Sequence, residues 1–164
     1  MTSITRLLIG AAFVAGFGLG WAVNVDHGVV EAQTRAKPFM MQRIYTGTDG
    51  LSHVEQIELN AQSVLEKITT ARVTVSQPGS FSDYHVGPER RYIINLTGGG
   101  QLQVAEGKVD LPAGTIEYID DLTGKGHTTR TTSKEDRVSI WLTFEDQRQH
   151  IGPLNPKPPS SAQR

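Results

Sequence analysis

Two histidines and three carboxylates form the most chemically suggestive pattern in the chain. Asp83 and His85 are two residues apart, so on a β-strand their side chains would share a face. Glu117 and Asp121 would share a face of another strand, and His127 could return at the start of the next. Histidine nitrogen and carboxylate oxygen together suit one divalent iron, manganese or zinc ion. The predicted metal ligands are His85, Glu117, Asp121 and His127, and the alternative is that both histidines form hydrogen bonds within loops.

A partly overlapping set of side chains could bind a small molecule instead of a metal. A guanidinium binds a carboxylate or phosphate through two parallel hydrogen bonds, and imidazole and phenol groups add further polar contacts. The predicted ligand-binding residues are His85, Arg91, Tyr92 and His127.

Neighbouring residues have simpler interpretations. Arg90 is expected to pair with one of two adjacent carboxylates, Asp120 and Asp121, which otherwise form a solvated strand end. Tyr118 and Trp141 could line a pocket, but on alternating strands they are at least as often core residues.

Composition limits the classes of function. The chain has 164 residues, which suits one domain, and 16 basic against 17 acidic residues give a formal net charge of −1. A near-neutral chain without a basic run is a poor candidate for nucleic-acid binding. Cysteine is absent, which excludes disulfides, thiolate metal sites and a cysteine nucleophile.

The first 32 residues resemble an export signal. Residues 7–23 are uncharged and largely apolar, Arg6 precedes them, and Val30-Glu31-Ala32 fits a cleavage site. The pattern predicts either a signal peptide cut after Ala32 or an uncleaved anchor that enters the membrane through residues 7–23 alone. The domain is thus expected to be periplasmic or secreted, or else anchored to the inner membrane on its outer side.

The remainder of the chain has the pattern of short strands. Residues 43–46, 53–59, 72–76, 92–97, 101–104, 115–119 and 138–144 are the predicted strands, with Gly- and Pro-containing turns between them. Residues 61–67 are the only helix candidate. The pattern predicts an all-β single domain, a small antiparallel barrel over residues 40–152. A linker at 33–39 and a flexible Pro/Ser-rich tail at 153–164 would flank it.

The spacing of glycines around His85 resembles the two short motifs of the cupin family. Gly79 is followed after five residues by His85, and Gly98 closes the first motif. Gly107 then leads to the turn at residues 112–114, Pro-Ala-Gly. The resemblance covers residues 79–144 and implies a jelly-roll type β-barrel, a fold that often pairs into a homodimer.

Three further segments are similar to a group of small bacterial cupin-domain proteins without a defined reaction. They are Phe81-Ser-Asp-Tyr-His85, Pro88-Glu-Arg-Arg-Tyr92 and Asp120-Asp-Leu-Thr-Gly-Lys-Gly-His127.

The chain departs from the family at the metal ligands. The first motif histidine matches His85, but the second falls on Gly87, and the motif glutamate falls on Arg91 or, with one residue of slack, on Tyr92. The second-motif histidine falls on Glu117. An inward-pointing Arg91 would repel a divalent cation. The resemblance therefore implies a degenerate metal site.

Two functions follow from these observations. The first is an exported cupin-like barrel that binds a small, anionic or hydroxylated ligand at its mouth. The alternative is a metal-dependent enzyme, an oxygenase or isomerase, with a non-standard histidine and carboxylate site.

Overall fold

Strands account for nearly all the regular secondary structure of the described residues. The computed structural model describes residues 38–63 and 65–154. The strands, in chain order, are β1 (Phe39–Thr46), β2 (Ser52–Leu59), β3 (Ile68–Ser76), β4 (Phe81–His85), β5 (Arg91–Thr97), β6 (Gly100–Val104), β7 (Gly107–Leu111), β8 (Ile116–Asp120), β9 (His127–Thr131) and β10 (Arg137–Phe144). Within these residues there is no helix that could cross a membrane.

The helix predicted at residues 61–67 does not form at its described positions. The Asn60 side chain accepts a hydrogen bond from the Gln62 backbone N–H at 2.9 Å. The Ser63 N–H bonds back to the Asn60 carbonyl at 3.0 Å. Asparagine can cap its own turn in this way, which gives the backbone an alternative to a helix.

The strands form two sheets. The larger has the order β2-β1-β8-β5-β10-β3, and the smaller has the order β4-β9-β6-β7. Every pair is antiparallel except β1 with β8, which runs parallel from Gln42 opposite Glu117 to Tyr45 opposite Asp120. The predicted all-β, jelly-roll type fold is confirmed. The two sheets remain separate layers and do not close into a barrel.

The core lies between the two sheets. Alternate residues of each strand point inward, as a half-buried sheet requires. The buried members of this core are Ile44, Ile93, Leu102, Val104, Leu111 and Ile119. A second apolar cluster lies on the outer face of the large sheet and consists of Met41, Tyr92, Tyr118 and Phe144. The large sheet therefore carries buried apolar side chains on both faces.

The segment after β10 returns to the first strands. The Gly152 N–H donates to the Thr46 carbonyl at 2.9 Å, and the Leu154 N–H donates to Oε1 of Glu55 at 3.0 Å. The predicted export signal at residues 1–32 and the tail from residue 155 onward lie outside the described residues.

Candidate functional site

A cavity of about 190 Å³ lies between the two sheets. Strands β3, β4, β5, β8, β9 and β10 all contribute side chains to it. Its charged and imidazole-bearing lining residues are His85, Arg91, Glu117, His127 and Arg137. Hydroxyl groups and three apolar side chains complete the wall; they belong to Thr74, Ser76, Ser82, Thr129, Ile93, Ile119 and Trp141. We call this space the inner cavity.

Arg91 has one edge of its guanidinium free of protein acceptors. Its side chain is 5% exposed and lies over the Trp141 ring, 3.9 Å from the centroid. Nη1 donates to Oε1 of Glu89 at 3.1 Å. The buried Nε has no hydrogen-bond partner among the described residues, and no contact to Nη2 is found among them. The Nε and Nη2 groups form the side-on edge that grips a carboxylate. Burial lowers the pKa of Arg91, against the raising effect of Glu89, but an arginine stays protonated.

In Arg137, the corresponding Nε and Nη2 groups of the guanidinium already donate to protein acceptors. Its Nε donates to Oδ1 of Asn95 at 2.8 Å, and its Nη2 donates to Oε1 of Glu117 at 2.5 Å. Asn95 completes the triangle through Nδ2, 3.1 Å from the same Glu117 oxygen. Burial raises the pKa of Glu117, and Arg137 and Asn95 oppose that rise. The two cavity arginines therefore differ: Arg137 belongs to a closed internal network, whereas Arg91 does not.

His127 is held from behind by a buried carboxylate. Its Nδ1 lies 2.6 Å from Oδ2 of Asp121, and the Ser52 hydroxyl donates to the same oxygen at 2.6 Å. Asp121 is fully buried and His127 is 4% exposed. The other carboxylate oxygen, Oδ1, has no hydrogen-bond partner among the described residues. The arrangement fixes the imidazole ring and leaves its Nε2 edge to the inner cavity.

His85 lies beside His127 across the strand pair β4–β9. The two residues are register partners, and their ring centroids are 4.7 Å apart at an interplanar angle of 56°. Nδ1 of His85 lies 2.7 Å from the Asp83 carbonyl. The backbone at Gly126 passes close to the His85 carbonyl oxygen. Glycine allows this approach, because φ at Gly126 is 76° and a Cβ there would overlap that oxygen.

The structure separates some residues that the sequence grouped together. Tyr92 lies on the outer face of the large sheet, away from the inner cavity, because adjacent strand residues point to opposite faces. Asp83 is exposed, since the β4–β9 register shifts between Ser82 and His85 and breaks the alternation. His85, Arg91, Glu117 and His127 do line one cavity. Asp121 stands behind His127.

The adjacent pair Asp120 and Asp121 is not a solvated strand end. Asp120 is fully buried, and its carboxylate bonds to side chains on the outer face of the large sheet. Its Oδ2 accepts from Nη2 of Arg43 at 2.6 Å, and its Oδ1 accepts from Nε of Arg90 at 2.8 Å. The predicted pairing of Arg90 with this carboxylate is confirmed. Buried carboxylates of this kind require such partners, because an unpaired buried charge is strongly destabilising.

Sequence reasoning missed Arg137. It precedes the predicted strand at 138–144 by one residue, but β10 begins at Arg137 and places Arg137, Ser139 and Trp141 on one face. Thr74 and Ser76 share the corresponding face of β3. Alternation carried one residue further would have identified the arginine.

The donor set does not fit a divalent cation. Among the described residues, no group of three or more histidine or acidic side chains is arranged to hold a metal ion. Glu117 is bonded to Arg137 and Asn95, and Asp121 to Ser52 and His127. The Arg91 guanidinium lines the same space and would repel a cation.

A second, larger cavity of about 590 Å³ lies on the outer face of the large sheet. Its floor includes Met41, Ile57, Tyr92 and Tyr118, and Leu65 forms part of its rim. Beneath it, Arg90 bonds to Tyr118 and to Glu66. Burial raises the pKa of Tyr118, so its hydroxyl stays protonated. Every guanidinium nitrogen of Arg90 has a partner, which marks this network as structural.

Comparison with known proteins gives structural neighbours only. No family model matches the chain, and no curated protein does. A cupin domain from Bordetella pertussis Tohama I is 16% identical and covers 67% of this chain and 97% of its own, with a TM-score of 0.37. A protein from Silicibacter pomeroyi DSS-3, described as a sugar phosphate isomerase from a cupin superfamily, is 14% identical and covers 67% of this chain and 73% of its own, with a TM-score of 0.39.

A cupin 2 conserved barrel domain protein from Salinispora arenicola CNS-205 is also similar. It is 20% identical and covers 46% of this chain, with a TM-score of 0.38. The match spans 61% of that protein's length, which is less than two thirds. The two sheets of the chain form a jelly-roll type fold, and cupin proteins are among the solved structures that are similar to it.

Proposed function

We propose that the inner cavity binds a small carboxylate that also carries hydroxyl or carbonyl oxygens. The observation that carries this proposal is the buried Nε of Arg91, which has no hydrogen-bond partner among the described residues, on a side chain that lines the cavity. A buried donor without an acceptor costs about 1–3 kcal/mol. Two carboxylate oxygens at Nε and Nη2 would remove that cost and form a charge-assisted bidentate pair.

The charge of the cavity wall supports an anion. Arg91 and Arg137 contribute two positive charges, and Glu117 is the one carboxylate in the lining. Asp121 lies one layer back, bonded to His127. The lining is therefore net positive even with both histidines neutral, and a low-dielectric surrounding strengthens the attraction.

Size and polarity narrow the class of ligand. A volume of about 190 Å³ is below the roughly 300–1,000 Å³ of pockets for drug-sized molecules. It suits an acid of about three to six carbons. The hydroxyls of Thr74, Ser76 and Thr129 line the same wall and can bond to hydroxyl or carbonyl oxygens of the ligand.

Calorimetric titration of the purified full chain tests the proposal. The probes are pyruvate, 2-oxobutyrate, glycolate, lactate and gluconate, with inorganic phosphate and uncharged glycerol for comparison. We expect a carboxylate to bind, phosphate to bind more weakly and glycerol not to bind. Arg91→Gln should weaken binding by about 10–100-fold, as expected for loss of a charge-assisted hydrogen bond of about 1.5–3 kcal/mol.

The matched control is Arg148→Gln. Arg148 is an exposed arginine whose side chain bonds to Asp146 and lines the larger cavity on the outer face of the large sheet. It should leave carboxylate binding unchanged. Binding that survives Arg91→Gln, or that is absent for every carboxylate, would reject the proposal.

We also propose that the domain works outside the cytoplasmic membrane. The support is the apolar run at residues 7–23 and the cleavage pattern ending at Ala32, both features of the sequence alone. Fractionation of cells that express the full chain, with N-terminal sequencing of the product, tests this. A product in the cytosol with residues 1–32 intact would contradict it.

A further inference from the structure

We infer that His127 is a general base that moves a proton on a carbonyl acid held by Arg91, with Asp121 as its positioning residue. This inference rests on the proposed function, because the substrate is the carboxylate bound in the inner cavity. The substrate class is a 2-oxo acid with at least one hydrogen on the carbon next to its carbonyl. The reaction is enolisation, which underlies isomerisation and epimerisation of such acids.

The contact between His127 and Asp121 decides the tautomer of the imidazole. An ionised carboxylate can only accept hydrogen bonds, so the Nδ1 atom, 2.6 Å from Oδ2 of Asp121, must carry a hydrogen. In the neutral ring the lone pair is then on Nε2. Ser52 donates to the same carboxylate oxygen at 2.6 Å and holds it in place. The ring is therefore oriented as a base, with its basic nitrogen fixed by the group behind it.

Nε2 of His127 is available to a substrate in the inner cavity. No protein hydrogen bond to Nε2 of His127 is found among the described residues, and His127 lines the inner cavity together with Arg91 and Arg137. The cavity has a volume of only about 190 Å³, and a carboxylate bound at Arg91 would occupy the same space that His127 lines.

The proton transfer balances without any co-reactant. Nε2 of His127 takes a proton from the carbon next to the carbonyl, and the C–H electron pair becomes the C=C bond of an enolate. The carbonyl π pair moves to oxygen, and the net positive charge of the cavity wall stabilises the enolate. Asp121 stabilises the imidazolium. When the imidazolium exchanges this proton with solvent before it protonates the same carbon again, the substrate hydrogen is replaced by a solvent hydrogen.

Exchange of substrate hydrogen with solvent measures this step directly. The full chain is incubated in D₂O with 2-oxobutyrate or pyruvate, and loss of the C3 proton signal is followed by NMR. The affinity of each variant is measured by calorimetry with the same acid. We expect exchange above the protein-free rate. His127→Gln should slow the protein-dependent exchange by about 100-fold or more and leave the dissociation constant within about threefold.

Two further variants separate positioning from folding. Asp121→Asn should reduce exchange while binding is retained, since an amide does not enforce the same tautomer. His127→Ala leaves a space the size of an imidazole, and added imidazole should restore exchange in that variant even where its stability is reduced. The control is His53→Gln, because His53 is a surface residue bonded to Asp49 and Glu106 and lies outside the inner cavity.

The outcomes distinguish this inference from the proposed function. If a 2-oxo acid binds through Arg91 but its protons exchange at the protein-free rate, the proton-transfer inference is wrong and the binding proposal stands. Exchange that His127→Gln does not change also rejects His127 as the base. If no 2-oxo acid binds, this inference fails; whether another carboxylate binds then decides the proposed function separately.

Discussion

Nη2 of Arg137 lies 2.5 Å from Oε1 of Glu117, and both side chains are buried at the wall of the inner cavity. They reach this position from different strands of the large sheet, β10 and β8, which are not neighbours but flank β5. Asn95 of β5 bonds to both side chains. One ion pair therefore ties three adjacent strands together beneath the site.

We predict that Arg137→Met lowers the free energy of unfolding by about 3–5 kcal/mol, because it leaves the Glu117 carboxylate buried without its cation. The double variant Arg137→Met, Glu117→Gln should recover most of that loss, since the neutral amide can still accept from Asn95. Urea unfolding measures both. A loss below about 1 kcal/mol in the single variant would show that the pair is not essential to the fold.

The loss of stability in Arg137→Met should depend on pH. Burial raises the pKa of Glu117 in the folded chain, so the folded state holds that proton more tightly than the unfolded state. Its contribution to stability is thus favourable at low pH and is lost as pH rises above the ordinary value of 4.5. Removing Arg137 enlarges the shift. The stability gap between wild type and Arg137→Met should therefore widen from pH 4 to pH 8, and a gap independent of pH would contradict this explanation.

Alanine substitutions at Gly126 and Gly79 form a matched pair that tests the close approach of Gly126 to the His85 carbonyl. Both have a φ of 76°, but a Cβ at Gly79 would meet open space, whereas one at Gly126 would overlap the His85 carbonyl. Gly79→Ala should cost about 1–2 kcal/mol, the cost of a left-handed conformation for alanine. Gly126→Ala should cost more and also weaken carboxylate binding. Equal losses of stability in the two variants would show that the close approach is easily relieved.

His53 is expected to contribute to stability mainly while its imidazole is protonated. Its partial burial disfavours the charged form, but hydrogen bonds to Glu106 and Asp49 outweigh this and raise its pKa above 6.5. A raised folded-state pKa stabilises the fold fully below the unfolded value and loses its effect as pH rises through the folded value. The stability difference between wild type and His53→Gln should therefore shrink from pH 6 to pH 9. A stability difference that grows over this range would contradict a raised pKa of His53 in the folded state.

Metal retention tests the alternative enzyme. We expect the purified chain, incubated in turn with iron, manganese and zinc and then desalted, to keep well under one ion per chain, because Glu117 and Asp121 are already bonded. Elemental mass spectrometry of wild type and His85→Ala measures this. About one ion per chain that disappears in His85→Ala would establish the predicted metal site and set aside the anion proposal.

The sequence predicted the fold better than the site because alternation reveals strands but not which face is inward. Tyr92 is a predicted ligand-binding residue, yet it lies on the outer face of the large sheet. Arg91 and Tyr92 are adjacent on a strand and could not both line one cavity. The shift of register in β4 removed Asp83 from the face of His85, and no residue type in that strand signals it. The sequence grouped Asp121 with His127, but as ligands of one metal ion, whereas the structure shows a direct hydrogen bond between the two side chains.

The neighbouring carboxylates at the end of β8 also constrain how the chain can fold. Asp120 meets Arg43 and Arg90 on one side of the large sheet, and Asp121 meets Ser52 and His127 on the other. A slip of β8 by one residue would turn each carboxylate towards the wrong side. One aspartate would then take the place of the other, so one network would keep an anion, and Ile119 or Leu122 would replace the carboxylate of the second network. A slip in either direction therefore leaves one buried network without its anion, so correct alignment of β8 is favoured before any ligand is present.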